Sequence, residues 1–429
     1  MTGPLLGRYT GRARRRRWLL GWLVGSAISV VVVCAGHLGY LRSLDFAWLD
    51  ALMAISPPGE LAYPIKMVTA DQDDFRAFEL PEAPAVFPRQ LLATVVRELA
   101  SAEAGVICID LLLDSPTDDD EHLEQALIAA RDSGVPVVLA CSGNGGEAGV
   151  WPLGRFDAHA AVGAVDVGLG PRGEVRTLEP WVRTPKGLVP SMAAAVREAA
   201  RRRGLLSASD PPRGPVLVGF RPAQETFPRY AVRDVVRGHV PDSWLRGAVV
   251  IVGRVDGRAG DEQLASLPGE PGTSGGGLVA MPGVEVQANC VAALLSRRPP
   301  ARTSMRADLA VGVLVAAIAA WLVEVCGVAL GAAISVVVLL GGGVLASALA
   351  VGTSGYVVNF MPAVIGVLAY AQLYAWMARR RLARGLAATA LGSLCAFCLL
   401  AGGGSWRVGG PAPTGWPLGR GAWVAGLLA

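Results

Sequence analysis

Residues 87–116, FPRQLLATVVRELASAEAGVICIDLLLDSP, contain a helix pattern followed directly by a strand pattern. Between Pro88 and Ser101 the apolar residues fall on one helical stripe, made of Leu91, Leu92, Val95, Val96 and Leu99. The run Gly105–Asp110 is almost continuously apolar, which is typical of a strand covered on both faces of a sheet. A second helix pattern follows over Asp120–Asp132. The stretch therefore predicts a helix, a strand and a helix in succession.

The same alternation continues on both sides of this stretch. The other strand-like runs are Ile65–Thr69, Val135–Ala140, Ala160–Val165, Val216–Gly219 and Ala248–Val252. Strands that alternate with helices are typical of a mainly parallel or mixed sheet with helices on its faces. We therefore predict an α/β domain over residues 41–305. Within it, the Gly- and Pro-rich stretch 255–280 predicts a flexible insertion or a lid.

The flanks of this domain carry almost no charge. Hydrophobic residues make up 52% of the chain and charged residues only 17%, and the charges are concentrated in the middle. Residues 18–40 are uncharged and follow five arginines, whereas a membrane-spanning helix needs about 20 apolar residues and basic residues favour its cytoplasmic end. We predict a cytoplasmic N-terminus over 1–17 and a transmembrane helix over 18–40. A cleaved signal peptide is the alternative, but its apolar region is usually shorter.

The C-terminal part predicts three further transmembrane helices, over 307–325, 328–351 and 356–377. Four crossings return the chain to the cytoplasm, where a second basic cluster is expected. That cluster is Arg379, Arg380, Arg381 and Arg384. Residues 378–429 are predicted to be a basic juxtamembrane segment and a Gly/Pro-rich tail, in which 385–404 is apolar enough for another span.

One charge cluster runs against this topology. Arg297, Arg298, Arg302 and Arg306 precede the second predicted span, on the outer side of the membrane. The domain 41–305 is nevertheless predicted to be extracytoplasmic, because the N-terminal cluster usually sets the orientation.

The candidate ligand-binding residues follow predicted strands. Asp110 and Asp114 come after one strand and Asp71 after another, and ligands of open parallel sheets bind outside the carboxyl ends of the strands. Such carboxylates could hold a hard cation or orient a polar ligand. The acidic run Asp118–Glu121 also suits the first turn of a helix, where negative charge is favourable. Arg89 begins a helix and could contact an anionic ligand or pair with Asp110.

Other classes of site receive little support. The four histidines are scattered without ligand spacing, so we predict no metal site and no cofactor. Hydrolase and phosphate-binding motifs do not occur, and we predict that the chain is not an enzyme and has no nucleic-acid partner. The seven cysteines do not form a disulfide framework, because the soluble domain contains an odd number of them.

Several stretches, taken in order, resemble a known family. They are IKMVTADQDDF at 65–75, the opening stretch followed by DDDEHLEQAL at 118–127, PVLVGFRPAQETFPRYAVRDVVRGHVPDSWLRGAVVIVG at 215–253, and MPGVEVQANCVAALL at 281–295. Their order and spacing resemble the CHASE domain of type 2, an extracellular sensory domain of bacterial signalling proteins. The resemblance implies structural importance for Pro282, Gly283, Glu285 and Asn289. This chain departs from the family pattern at Gln287, where a histidine is usual.

The resemblance implies a sensor anchored in the bacterial plasma membrane. Such proteins usually continue into a cytoplasmic kinase or cyclase domain, for which the residues after Arg384 are too few. We therefore expect a signal-transduction sensor that lacks a catalytic output domain of its own. The candidate partners are the lipid bilayer, an unknown extracytoplasmic ligand, a cytoplasmic kinase or cyclase, and a second copy of the chain. The alternative is a scaffold protein that uses the outer domain for protein contacts.

Overall fold

The computed structural model of the protein describes most of the chain. The described residues are 4–41, 44, 46, 48, 63–82, 84–144, 149–170, 172–206, 214–220, 226–255, 262–266, 278–296, 301–327, 330, 331, 333–339, 341–343, 347, 356, 357 and 361–380. The helices within them are α1 (Pro4–His37), α2 (Gln72–Ala77), α3 (Arg89–Ser101), α4 (Asp120–Asp132), α5 (Gly154–Asp157), α6 (Met192–Arg202), α7 (Val232–Val236), α8 (Asp242–Leu245), α9 (Gly283–Leu295), α10 (Met305–Cys326) and α11 (Met361–Arg380).

The strands are short and mostly apolar. They are β1 (Ile65–Ala70), β2 (Val106–Leu112), β3 (Val137–Cys141), β4 (Ala161–Ala164), β5 (Gly168–Leu169), β6 (Glu174–Leu178), β7 (Trp181–Thr184), β8 (Gly187–Pro190), β9 (Val216–Leu217), β10 (Arg229–Ala231), β11 (Val249–Arg254), β12 (Glu262–Ser266), β13 (Leu278–Pro282), β14 (Ala301–Arg302) and β15 (Tyr356–Val357).

Six of these strands form a parallel sheet in the order β10-β1-β11-β2-β3-β4. Successive residues face opposite sides, so that Val106 and Cys108 enter one hydrophobic core while Ile107 and Ile109 enter the other. Both faces are therefore covered, which explains the continuous apolar runs in the sequence. The predicted α/β class with a mainly parallel or mixed sheet is confirmed.

Helices cover both faces of the parallel sheet. Helices α3 and α4 pack on one face, and α6 and α9 pack on the other. Every residue of α9 except Glu285 is buried, because α9 contacts the parallel sheet on one side and strands β9, β12 and β13 on the other. A helix that is apolar all round is typical of such a position between two sheets.

The second sheet is mixed and was only partly expected. Its order is β13-β12-β6-β9-β14-β15, with β5 paired to β6. Within the stretch 255–280, where a flexible insertion or lid is predicted, the residues that the structure describes include β12 and the start of β13, which pair in antiparallel register. The predicted strand Val216–Gly219 is shorter, and it lies in this second sheet rather than in the parallel one.

Of the described helices, two are long and apolar enough to cross a bilayer, Trp18–His37 and Met305–Cys326. They overlap the predicted spans 18–40 and 307–325. Helix α11 overlaps the predicted span 356–377 and begins later, at Met361, because residues 356 and 357 form β15. The predicted span 328–351 contains a shorter apolar helix over Ala333–Gly343. The predicted span 385–404 lies outside the described residues.

Small residues allow α1 to approach α10 closely. A Cβ added to Gly25 would lie 3.2 Å from the Cβ of Ala316, and one added to Gly312 would lie 3.2 Å from the Cβ of Ser29. Close approach at small residues is a common way in which apolar helices associate in membranes. The pairing runs from residues 25 and 29 on α1 to residues 316 and 312 on α10, so the two helices are antiparallel.

Candidate functional site

At the carboxyl edge of the parallel sheet, the connections from neighbouring strands leave in opposite directions. After β1 and after β2, the chain turns toward the face of the sheet that α3 and α4 cover. Strand β11 lies between β1 and β2, and after it the chain turns toward the other face, which α9 covers. In open parallel sheets, such a change of direction opens a crevice in which ligands bind. Asp71 follows β1 directly, and Asp110 lies in β2.

Four charged side chains meet at this edge of the sheet. Nη1 of Arg233 lies 3.4 Å from Oδ1 of the buried Asp74 and 3.6 Å from Oδ1 of Asp71, and the guanidinium of Arg229 pairs with the carboxylate of Glu285. Burial lowers the pKa of Arg229, and the nearby charge of Asp71 opposes that shift. We call Asp71, Arg229, Arg233 and Glu285 the edge cluster. The side chains of the edge cluster, with the buried carboxylate of Asp74 as a further partner of Arg233, can bind a small polar ligand that carries charge.

Local structure fixes the positions of Asp71 and Arg233. Asp71 caps the N-terminus of α2, where its Oδ1 accepts the backbone N–H of Asp74 at 2.9 Å and Asp74 reciprocates. The carboxylate of Asp74 also accepts the backbone N–H of Arg233 at 3.0 Å, which ties the start of α7 to α2. Burial raises the pKa of Asp74, although these backbone hydrogen bonds act against the shift.

The other two members of the edge cluster come from distant parts of the chain. Arg229 reaches the site because β10 pairs in parallel with β1, with Arg229 opposite Met67. Glu285 lies in the first turn of α9, where a negative charge is favoured by the helix dipole. Sequence reasoning missed Arg229 and Arg233, although they stand four residues apart just after Pro228.

Asp110 lies next to the edge cluster, on the side of the sheet that faces α9. A Cβ added to Gly253 would lie 3.6 Å from the Cβ of Asp110 and 2.7 Å from Cγ2 of Val284, so the glycine lets α9 begin close to Asp110. Burial, followed by the charge of Asp110, raises the pKa of Cys290 to about 12 and raises that of Cys108 as well. Both thiols therefore stay protonated and inert.

Arg89 lies in the opposite core. It is 1% exposed, and its Nε donates to Oδ1 of Asp120 at 3.1 Å while its Nη2 donates to the carbonyl of Ser115 at 3.0 Å. The expected pairing of Arg89 with Asp110 is wrong, because Asp110 faces α9 and Arg89 faces α4. Burial acts to raise the pKa of Asp120, but hydrogen bonds from Thr117 and Arg89 outweigh it and lower that pKa.

The remaining predicted residues are placed as follows. Asp114 is exposed and accepts a weak hydrogen bond of 3.4 Å from the hydroxyl of Ser115, outside the edge cluster. Pro282 ends β13 and precedes Gly283, the first residue of α9. Asn289 is buried and donates to the carbonyl of Glu285 at 2.9 Å, which holds the first turn of α9.

The structure brings together two of these predicted residues, Asp71 and Glu285, with Asp110 beside them. Gln287, which stands where the resembling family has a histidine, donates to the carbonyl of Val165 at 2.8 Å and fastens α9 to the end of β4. Among the described residues, no three His, Cys, Asp or Glu side chains are placed to hold a metal ion.

Comparison with known proteins identifies the domain. The family model described as "CHASE2 domain" matches residues 27–326. No curated protein and no solved structure matches the chain. The matched range runs from the first candidate span, through the parallel sheet and the edge cluster, to the end of α10. The chain belongs to the CHASE2 family of extracytoplasmic, membrane-linked sensory domains.

Proposed function

We propose that this chain is a signal-transduction sensor anchored in the bacterial plasma membrane, whose outer domain binds a small charged ligand at the edge cluster. The observation that carries the proposal is the path from that cluster to the membrane helices. Glu285, in the first turn of α9, pairs with Arg229. Near the other end of α9, the carbonyl oxygen of Leu294 accepts a hydrogen bond of 2.8 Å from Nη1 of Arg197. Helix α10 begins ten residues after Leu295.

The mixed sheet supports the same path. Strand β14 pairs with β9 of the outer domain through Ala301 and Val216, and it pairs with β15 through Ala301 and Tyr356. Helix α10 starts at Met305, shortly after β14, and α11 starts at Met361, shortly after β15. A shift of the outer domain would therefore move the outer ends of α10 and α11 together.

The ligand would act by competing for charges within the edge cluster. A carboxylate or phosphate group on the ligand would attract Arg229 away from Glu285, and α9 would then lose its tie to β10. Because every other residue of α9 is buried in close packing, a change at its first turn would be transmitted to the elements packed against it. Such coupling requires that the ligand bind the two positions of α9 with different affinity.

The helix directions support the proposed topology. Gly366 of α11 lies against Ser29 of α1, while Tyr370 of α11 lies against Gly21. Helix α11 therefore runs antiparallel to α1, as α10 does, and α10 and α11 run in the same direction. Two helices of one direction need a return crossing between them, which agrees with the expected span over 328–351. The outer end of α1 is joined to α10 by His37, whose Nε2 lies 2.9 Å from Oδ2 of Asp308.

The test measures thermal unfolding of the full chain in lipid nanodiscs against a panel of amino acids, dicarboxylates and sugar phosphates. A ligand at one hundred times its Kd stabilises the folded state by about 2.7 kcal/mol. At least one class should raise the Tm of the wild type. Arg229→Gln, which removes the cation that the anionic group of the ligand would meet, should abolish that rise.

Arg76→Gln is the matched control for this test. Arg76 is an exposed arginine that pairs with Asp73 at 2.8 Å outside the edge cluster. The rise in Tm should therefore persist in this variant. The proposed site is wrong if the rise also persists in Arg229→Gln. If no compound changes the Tm, the scaffold function is favoured over sensing. A cytoplasmic kinase or cyclase is the partner that we propose to receive the signal.

A further inference from the structure

The C-terminal end of α9, from which the chain continues to α10, lies toward the amino edge of the parallel sheet, opposite the edge cluster. Helix α9 starts next to Gly253, at the carboxyl end of β11, and runs back toward the amino ends of the strands. The ten-residue step from Leu295 to Met305 can span at most about 35 Å. The pairing of Ala301 with Val216 shortens this connection further. This path of the chain favours an orientation in which the amino edge faces the outer surface of the proposed membrane.

A groove at this edge is lined with basic side chains. It lies between the C-terminal ends of α4 and α6 and the starts of β3 and β4, and its volume is about 820 Å³. The charged residues that line it are Arg131, Arg197, Glu198, Arg201, Arg202 and Arg203. We call it the basic groove. Among the described residues that line it are five arginines and one glutamate, and Arg131 pairs with the neighbouring Asp132 at 2.9 Å.

Two of these arginines have structural roles. Nη1 of Arg197 donates to the carbonyl of Leu294 at 2.8 Å, and burial lowers the pKa of Arg197. Nη1 of Arg203 donates to the carbonyl of Gly105 at 3.1 Å, at the start of β2. These side chains hold α6 against its neighbours and fix the walls of the groove.

The excess positive charge is on the outer rim. Arg201 and Arg202 are 43% and 76% exposed, and they share the carboxylate of Glu198 at 2.7 and 2.8 Å. Hydrogen bonds from Arg201 lower the pKa of Glu198 to about 2, although slight burial opposes this shift. Glu198 is therefore fully charged at neutral pH, and its charge neutralises one of the two arginines. The rim therefore keeps a net positive charge beside an apolar wall that includes Trp181.

A second hollow on the amino edge has the same chemistry. It is lined by Lys66 and Arg246 and by the ring of Trp244, which is 55% exposed. Tyr230 supports that ring, with the two ring centroids 5.9 Å apart. Exposed tryptophan beside lysine and arginine is the combination that proteins place at the level of lipid headgroups.

Four further arginines stand in the sequence between the end of α9 and the first turn of α10. They are Arg297, Arg298, Arg302 and Arg306, on the proposed outer side, where the charge rule disfavours them. Arg306, in the first turn of α10, is exposed. A requirement for positive charge at the outer membrane surface accounts for this departure from the rule.

We propose that the amino edge of the outer domain docks on anionic phospholipid headgroups of the bilayer that holds α1 and α10, with the basic groove taking the headgroup phosphates. This inference rests on the proposed membrane anchorage. It gives the outer domain two positions, docked and undocked, and a ligand at the opposite edge could favour one of them. Each arginine near an anionic membrane surface should change the ratio of docked to undocked domain about five-fold.

The test follows hydrogen exchange in the full chain, reconstituted in nanodiscs of phosphatidylglycerol or of phosphatidylcholine. The reporters are the backbone amides at the end of α6, such as Gly204 and Leu205, which donate to Arg201 and Ala200. In the wild type they should exchange more slowly in phosphatidylglycerol, and added salt should remove the difference. In R201Q/R202Q the ratio of docked to undocked domain should fall roughly thirty-fold, which abolishes the difference between lipids.

The matched control removes the same charge from the far side of the domain. Arg76 and Arg237 are exposed and contact α2 and the residues just after it. R76Q/R237Q should keep the lipid-dependent protection. The proposal is overturned if the wild type exchanges equally in both lipids or if the two double variants behave alike. It is also overturned if inorganic phosphate added to phosphatidylcholine discs gives the same protection, because the groove would then take a soluble anion.

A separate measurement distinguishes this outcome from failure of the proposed anchorage. Extraction of membranes with alkaline carbonate should leave the wild type and both double variants in the membrane fraction. Release of the wild type by carbonate would refute the anchorage itself. Retention together with equal exchange in both lipids would refute the docking alone.

Discussion

The buried pair of Arg89 and Asp120 allows a quantitative prediction about stability. The substitution Arg89→Leu would leave the carboxylate of Asp120 buried without its cation, with only Thr117 still donating to it. It would also remove the guanidinium from above the ring of Phe156, 5.9 Å from the ring centroid. Breaking a buried ion pair by removing one partner costs about 3–5 kcal/mol. We expect a decrease of that size in the free energy of unfolding.

The assay is chemical unfolding of the full chain in detergent micelles, followed by near-ultraviolet circular dichroism. The double variant R89L/D120N should be more stable than R89L, because it leaves no buried charge behind. R76L is the control, since Arg76 is exposed and should not change the midpoint. If the effects of R89L and D120N simply add, the two side chains do not interact energetically and the reasoning is refuted.

The same pair predicts how stability depends on pH. The pKa of Asp120 is lower in the folded state than in the unfolded chain, where it is about 3.9. Its contribution to stability is therefore complete above the unfolded pKa, and it is lost as the pH falls through the folded pKa. D120N should flatten this part of the acid decline. An unchanged slope would show that other carboxylates cause it.

Three further predictions concern packing and reactivity. Gly253→Ala should destabilise the domain by about 1–3 kcal/mol, because its Cβ would lie 2.7 Å from Val284, and V284A should restore part of the loss in the same unfolding assay. Gly25→Leu should separate α1 from α10 at Ala316. Cysteines placed at the outer ends of the two helices should then cross-link less than they do with Gly25 present. Cys290 should resist alkylation at neutral pH until the protein unfolds, because burial raises its pKa to about 12. Labelling would be measured by mass spectrometry, and rapid labelling of the folded protein would contradict this prediction.

Much of the parallel sheet could be predicted because its signals are local. The apolar runs predicted β1, β2, β3, β4 and β11 within a few residues, since a strand covered on both faces needs apolar side chains at nearly every position. Helices α3 and α4 were predicted almost exactly because their apolar stripes repeat at the helical period. These patterns depend on neighbouring residues and not on the path of the chain.

The mixed sheet was largely hidden because its pairings are distant in sequence. Strand β9 contains two residues, and it is defined by its pairing with β6 and β14. The stretch around β12 and β13 is rich in glycine and proline, and its composition alone favours a loop. A pattern of residue types cannot show that a short polar strand will meet an open sheet edge.

The candidate site divides in the same way. Asp71 could be found because a residue after a buried strand lies at the carboxyl edge. Arg229 could not, because its place depends on the pairing of β10 with β1, which lies more than 150 residues earlier in the chain. The partner of Arg89 was misassigned because Asp110 points to the same side as Cys108, toward α9. Residues of β2 alternate between the two cores, and this alternation places Asp110 on the side of the sheet away from Arg89.

Helix α9 imposes a fixed length on the domain. Its thirteen residues span about 20 Å between the edge cluster and the amino edge of the sheet. One inserted residue would rotate every later side chain by about 100° and lengthen the helix by about 1.5 Å, which would turn Leu294 and Leu295 out of their places. Among related chains, insertions and deletions should therefore collect in the surface segments and avoid α9, which makes its length a marker for aligning distant members of the family.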